Sequence, residues 1–274
     1  MKGNFSGERA LFGLKNEKIE DSVFFDGESP LKESENISLK NCIFRWKYPL
    51  WYCKNIKVDG GFLDIGARAG IWYTKNIEVN GTVISAPKTF RRAEDIRLSG
   101  VSMPHAEETL WNCRAVTAEN LTAEGDYFAF GLSDSKFSDF TLTGNYSFDG
   151  AKNITIENSR LISKDAFWNT ENVTVKNSFI SGEYIGWNSV NLTLIDCTVE
   201  SHQGFCYAEN LKMENCRVIN TDLAFEYSTV DATLTGRVES IKNPSGGIIK
   251  AYDIGEIISE PDKIDPGKTK IIKG

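Results

Sequence analysis

Five of the six tryptophans in this 274-residue chain share one position of a repeating pattern, and the same position also carries Arg91 and Asp149. In order the position reads Phe12, Lys32, Trp51, Trp72, Arg91, Trp111, Phe130, Asp149, Trp168, Trp187 and Cys206. A row of indoles broken by a few polar groups suits pyranose rings, whose C–H faces pack on an aromatic face while their hydroxyls seek hydrogen bonds. The following residue of each repeat supplies such partners: Tyr52, Tyr73, Arg92, Asn112, Asn169, Asn188 and Tyr207. Arg68, just before the Trp72 rung, joins Arg91 and Arg92 as a small cationic cluster suited to a carboxylate or phosphate. A second reading stays open beside this one. Aromatic rows also stack purely for packing, lie under a terminal segment, or form a subunit contact.

Catalysis asks for more than a platform. A glycoside hydrolase needs two carboxyls about 5–5.5 Å or 6.5–9.5 Å apart. The row offers only Asp149, and Glu226 in Ala-Phe-Glu-Tyr falls several repeats away. A lyase would use Arg91 or Arg92 to take a proton or neutralise a uronate, with acidic side chains holding Ca²⁺, yet no Asp cluster lies beside these arginines. Glu107 and Glu108 come closest in sequence, in a segment with His105, an acid/base candidate, that reads more readily as a solvated turn. No catalytic residue is assigned, and no metal or other cofactor is implied.

The row exists because the whole chain repeats. A short phrase recurs about every 19 residues: Asn, aliphatic, polar, aliphatic, then one residue later Asn, Asp or Gly. Examples are Asn36-Ile-Ser-Leu-Lys-Asn-Cys, Asn153-Ile-Thr-Ile-Glu-Asn-Ser and Asn210-Leu-Lys-Met-Glu-Asn-Cys. The anchors are Asn16, Asn36, Asn55, Asn76, Asp95, Ala115, Asp134, Asn153, Asn172, Asn191 and Asn210, with a blurred repeat near Thr229. A period this short leaves no room for ordinary helices and fits three short strands and three turns per coil of a solenoid.

The columns sort by chemistry. One and three residues after each anchor stand inward aliphatics such as Ile56 and Val58, with an outward polar residue between them. Next come a small column (Ser22, Cys42, Gly61, Gly81, Ser159, Ser178, Cys197, Cys216) and a bulky inward one (Phe24, Phe44, Leu63, Val83, Met103, Leu161, Ile180, Val199, Val218). Cysteine in the small column reads as a compact buried hydrophobe, with Cys197 and Cys216 stacked on neighbouring coils. The anchor Asn tolerates left-handed backbone, and its amide can bond the next rung, satisfying polar groups in the interior. The Asn-X-Thr sequons arise from this ladder and carry no glycosylation meaning.

Bulk properties exclude several classes. A net charge of −7 with a pI near 5.1 leaves no basic footprint for nucleic acid or acidic membrane. No apolar run is long enough to span a bilayer. Residues 1–7 lack the apolar stretch of a secretory signal, so a cytoplasmic location with reduced cysteines is expected. There is no CxxC, and His105 and His202 are far apart, which argues against structural zinc.

The segments Glu8-Arg-Ala-Leu-Phe-Gly-Leu, Gly27-Glu-Ser-Pro-Leu-Lys-Glu, Tyr48-Pro-Leu-Trp, Asp165-Ala-Phe-Trp, Gly182-Glu-Tyr-Ile-Gly-Trp, Asp222-Leu-Ala-Phe-Glu-Tyr-Ser and Ser240-Ile-Lys-Asn-Pro resemble an uncharacterised, mainly bacterial domain-of-unknown-function family. The resemblance implies a pectate-lyase-like β-helix and brings no activity, although the acidic calcium cluster of pectate lyases has no counterpart here. The expected architecture is all-β: a single-domain right-handed parallel β-helix of about twelve coils of roughly 19–20 residues. Residues 1–11 are expected as an N-terminal cap, 12–240 as regular coils and 241–274 as C-terminal cap and tail, with a terminal strand after Asp265-Pro-Gly. The leading function is a carbohydrate- or polymer-binding protein using the Trp-Arg-Asp row, with lyase or hydrolase activity as an extension. The rival is a structural or interaction scaffold with the row buried in a homo-oligomer or under the chain's own tail.

Overall fold

The anchor position is first a demand of the backbone. In the computed structural model, which describes residues 1–274, all eleven anchors sit in the left-handed region with φ between 52° and 57°, including Ala115. All but Asn210, which precedes the longer strand Leu211–Ile219, are the second residue of a six-residue strand such as Lys54–Asp59 or Lys75–Asn80, and the pairing steps over the anchor: Lys54 faces Lys75, then Ile56 faces Ile77. Left-handed backbone costs every side-chain-bearing residue something, and Asn and Asp tolerate it best after Gly. That is why ten of the eleven anchors are Asn or Asp.

The anchor amides then link coil to coil. Asn36 donates to Asn16 at 2.7 Å, Asn55 to Asn36 at 2.8 Å and Asn76 to Asn55 at 2.9 Å. Farther along, Asn172 donates to Asn153 at 3.0 Å and Asn191 to Asn172 at 2.8 Å. The ladder differs from the expected interior one in lying at the surface, where most of its members are exposed. The left-handed residue turns its side chain outward, so that the next residue, such as Ile56 or Ile77, points into the core.

A second left-handed column five residues after the anchor closes the strand with a turn. Asn41, Asn120, Asn158, Asn177 and Asn215 occupy it, as do Gly60, Gly81 and Gly100. A shorter strand of two to four residues follows, such as Ile43–Phe44 or Arg160–Ile162. Here one coil departs from expectation. Gly81 is the turn residue, so Thr82 fills the small inward place and Ile84 the bulky one, both 1 % exposed, while Val83 points out and is 40 % exposed.

The third side of the coil is built mainly from turns, in place of the expected third strand. Left-handed residues recur three before the anchor (Tyr52, Tyr73, Arg92, Asn112) and, from Leu110 onward, five before it. Only Ile71–Trp72 and Phe90–Arg91 form a paired strand there, joined by a bridge from Arg91 to Trp111. The aromatic row therefore stands on a turn-built side.

The chain divides into two compact units, Met1–Thr141 and Leu142–Gly274. Both are parallel β-solenoids without an α-helix, and the coils total about fourteen, close to the twelve expected. In the first unit, Asn4–Phe5 pairs in register with Val23–Phe24, and Phe5, Phe24 and Phe44 stack through its core at 4.9 and 4.5 Å. In the second, Phe148 stacks on Phe167 and Phe205 on Phe225. Its last coils lengthen into the strands Leu211–Ile219, Thr229–Lys242 and Gly246–Ile258. After the tight turn Pro266–Lys268, Thr269–Lys273 pairs with Gly247–Ala251. No helix is long and apolar enough to cross a membrane.

All six cysteines are free and buried. Burial pushes the thiols of Cys53, Cys113 and Cys206 up to about 12, so they stay protonated and inert at neutral pH. Cys197, just before the strand Thr198–Ser201, lies beside Cys216 of Leu211–Ile219, each within bonding distance of backbone carbonyls.

Candidate functional site

In the first unit the aromatic row becomes one continuous stack. Tyr48 lies against Trp51 with ring centroids 4.5 Å apart, and Trp51 is parallel to Trp72 within 7° at 5.1 Å. The Arg91 guanidinium comes next, 4.7 Å from the Trp72 centroid and 5.0 Å from that of Trp111, and Phe130 covers the far face of Trp111 at 4.4 Å. A coil spacing near ~4.8 Å fixes this geometry: rings repeated at one position of successive coils have no separation available except stacking distance. The stack is half-buried. Two of its three indoles also bond the next coil: Trp51 Nε1 donates to Ala69 O at 2.6 Å and Trp72 Nε1 to Lys88 O at 2.8 Å.

Arg91 is held from the side by Glu108. Nη2 meets Oε2 of Glu108 at 2.9 Å, and Lys88 bonds the other oxygen at 2.8 Å. Partial burial pushes the Glu108 carboxyl up, but the two cations outweigh it and hold the group below the usual carboxylate value. The buried Nε of Arg91 has no partner. Arg68 and Arg92 are exposed on either side of the row, so of the expected cationic cluster only Arg91 is built into the stack. His105 and Glu107 are exposed.

The neighbouring polar column is also a stack. Tyr52 lies on Tyr73 at 4.8 Å, and Lys32 sits 5.6 Å from the Tyr52 ring on the preceding coil. Asn112 is followed by Gly131, where a Cβ would fall 2.2 Å from Asn112 Oδ1; with φ of 63° as well, glycine is required there.

In the second unit Trp168 and Trp187 lie 6.0 Å apart, and Trp187 meets Tyr207 at 5.1 Å. Trp168 Nε1 donates to Tyr184 O at 2.7 Å. Asn188 donates to Asn169 and Asn169 to Asp149, at 2.9 and 2.8 Å, so these three form a ladder of their own. Glu226 is 8 % exposed, paired with Lys242 at 2.7 Å and bonded by Gln203 at 3.1 Å. The ion pair raises the Lys242 ammonium above its ordinary value. No group of three or more His, Cys, Asp or Glu is placed to hold a metal ion.

Two features escape a column reading. Glu108 was visible only as a turn carboxylate, and its place beside Arg91 depends on the corner geometry. Asp165, 2 % exposed, has a buried Oδ1 with no hydrogen-bond partner, and burial raises its carboxyl above the ordinary Asp value. Its position in the corner column is chemically mixed, holding Lys88, Glu108, Tyr127, Tyr146 and Tyr184 on other coils, so the column gave no sign of which acid is buried.

Residues 1–272 match a family model described as Protein of unknown function (DUF3737). The chain belongs to this family. No curated protein sequence matches it. Among solved structures, the surface adhesin PfbA of Streptococcus pneumoniae is similar at 10 % identity and a TM-score of 0.26, over 90 % of this chain and 69 % of that one. A second PfbA structure aligns over 99 % and 91 %, at 9 % identity and a TM-score of 0.30. HetL, a pentapeptide repeat protein involved in heterocyst differentiation regulation from the cyanobacterium Nostoc sp. strain PCC 7120, aligns over 84 % and 91 %, at 12 % identity and a TM-score of 0.29.

Proposed function

We propose that this DUF3737 protein is a non-catalytic interaction scaffold whose aromatic row serves cohesion between coils and presents ring edges to a macromolecular partner. The observation that carries this reading is the filling of the ring faces. Trp51, Trp72, Arg91, Trp111 and Phe130 cover one another, so a pyranose would meet edges and not the faces on which C–H groups pack. The acids of the candidate set are likewise engaged: Asp149 by Asn169, Glu226 by Lys242 and Gln203. Half-exposed Trp and Tyr beside Arg is the composition that protein interfaces favour.

The test is titration of the full chain with neutral and acidic oligosaccharides, read by indole emission and by release of reducing ends. The expected result is an unmoved spectrum and no cleavage. A saturable shift that disappears in Trp111→Phe, or cleavage of any of the polymers, would overturn the scaffold reading in favour of a saccharide site on the row.

A further inference from the structure

We propose a second, separate site: a cleft of about 550 Å³ on the outer face of the C-terminal unit, which takes a neutral saccharide rich in hydroxyl donors. The cleft opens where the amide ladder runs out. Along one column the side chains shorten from Asn191 and Asn210 to Thr229 and then to Gly246, opposite Thr229 on the next strand. Asn210 donates to Asn191 at 3.2 Å, as each ladder amide does to the rung before it. The Oδ1 atoms of Asn153, Asn172 and Asn191 each receive the amide of the following rung. At Asn210 the following rung is Thr229, whose hydroxyl accepts from the Asn210 backbone N–H at 2.7 Å, leaving Asn210 Oδ1 without an amide from the next rung.

One wall of the cleft is the adjacent outward column, in direct register over four strands: Thr193 opposite Lys212, Lys212 opposite Asp231, and Asp231 opposite Ile248. Lys212 leans to Glu214 at 3.5 Å on its own strand, and the exposed Asp231 carboxylate is left without an ion pair. Two acceptors without donors, Asn210 Oδ1 and Asp231, therefore face a space whose volume is in the range of small-molecule sites. Ile248, 40 % exposed, offers an aliphatic surface beside them. A carboxylate takes two hydrogen bonds from vicinal hydroxyls, and an aliphatic wall suits a pyranose C–H face. With Lys212 paired to Glu214, Asp231 leaves the wall one negative charge, which disfavours a uronate relative to a neutral sugar.

The experiment is calorimetric titration of the full chain with maltose and with N,N′-diacetylchitobiose, and with putrescine as a cationic control. Saturable binding of a disaccharide is expected, weakened about tenfold in Asp231→Ala by loss of a charge-assisted hydrogen bond. Thr229→Asn, which extends the ladder and fills the notch, should remove it as well. Trp72→Phe should leave it unchanged, which separates this site from any on the aromatic row and from the outcome for the scaffold reading. Absence of disaccharide binding at millimolar concentration, binding indifferent to both cleft substitutions, or a stronger response to putrescine would each overturn the proposal.

Discussion

Arg91 lies with its guanidinium 4.7 Å from the ring centroid of Trp72, a cation taking the place of an indole in a column of stacked rings. A flat, weakly hydrated guanidinium can fill that place because it stacks as a ring does while its nitrogens reach sideways, here to Glu108 at 2.9 Å. Removing it leaves a ring-thick gap between Trp72 and Trp111 and frees Glu108 from one of its two partners. Arg91→Ala should therefore lower stability by about 1–3 kcal/mol, read as a shift in the urea midpoint. Arg91→Lys should recover less than half of that loss, because an ammonium keeps the charge but not the plane.

At Ala115 the solenoid carries the one anchor that is neither Asn nor Asp, at a φ of 55°. Left-handed backbone costs Ala roughly 1 kcal/mol or more, a cost that Asn reduces. Ala115→Asn should stabilise the protein by about 0.5–1 kcal/mol, with part of the gain from the new amide donating to Asp95 on the preceding rung. Ala115→Gly removes the strain without that bond and should gain less. A thermal midpoint highest with Asn, lower with Gly and lowest with Ala would bear this out, whereas an unchanged midpoint for both variants would show that the left-handed strain is not a cost here.

The fold was readable from the anchors because one physical requirement, a left-handed residue at a fixed place in every coil, selects Asn so strongly that its period shows through a variable sequence. Cys197 above Cys216 and the aliphatic pairs follow from the same count. The side carrying the tryptophans was harder to read. Alternation placed Trp51 and Trp72 outward as on a strand, and they are half-exposed; the coil spacing gave the stack of rings, but the segment is mostly turn, and nothing in the order of residues reveals that. Arg91 looked like a free cation in a cluster with Arg68 and Arg92 because its partner Glu108 comes from a corner of the next coil. Val83 was misplaced by one residue because Gly81 fits a small core position as well as the turn it occupies.

Asp165 makes stability depend on pH in a direction opposite to that of a paired carboxylate. Burial raises its carboxyl above 3.8, with Lys164 pulling it back and Glu183 pushing it further up. A raised carboxyl favours the protonated folded state, so its contribution is complete below the unfolded value near 3.8 and is lost as pH rises through the folded value. Asp165→Asn removes the ionisation. It should be more stable than the parent at pH 7, by on the order of 1 kcal/mol, because no charge is left to bury, and the difference should vanish towards pH 3. Paired unfolding curves at the two pH values measure it, and an equal effect at both would mean that Asp165 is ionised throughout or matters only through its shape.

The tryptophans of the row divide by what their nitrogens do. Trp168 Nε1 donates to Tyr184 O at 2.7 Å and fastens the corner of the next coil, whereas Trp111 shares the stacking but has no hydrogen bond from its indole nitrogen. Replacement by Phe keeps an aromatic face at both places and removes a donor only at Trp168. Trp168→Phe should therefore cost about 1 kcal/mol more than Trp111→Phe, the net value of a hydrogen bond whose acceptor is left unpaired. Amide exchange near Tyr184 should quicken in the first variant alone, since the released corner can open locally without unfolding the coils around it. Equal costs would mean that ring stacking carries the cohesion of the row and that the indole nitrogens add nothing to it.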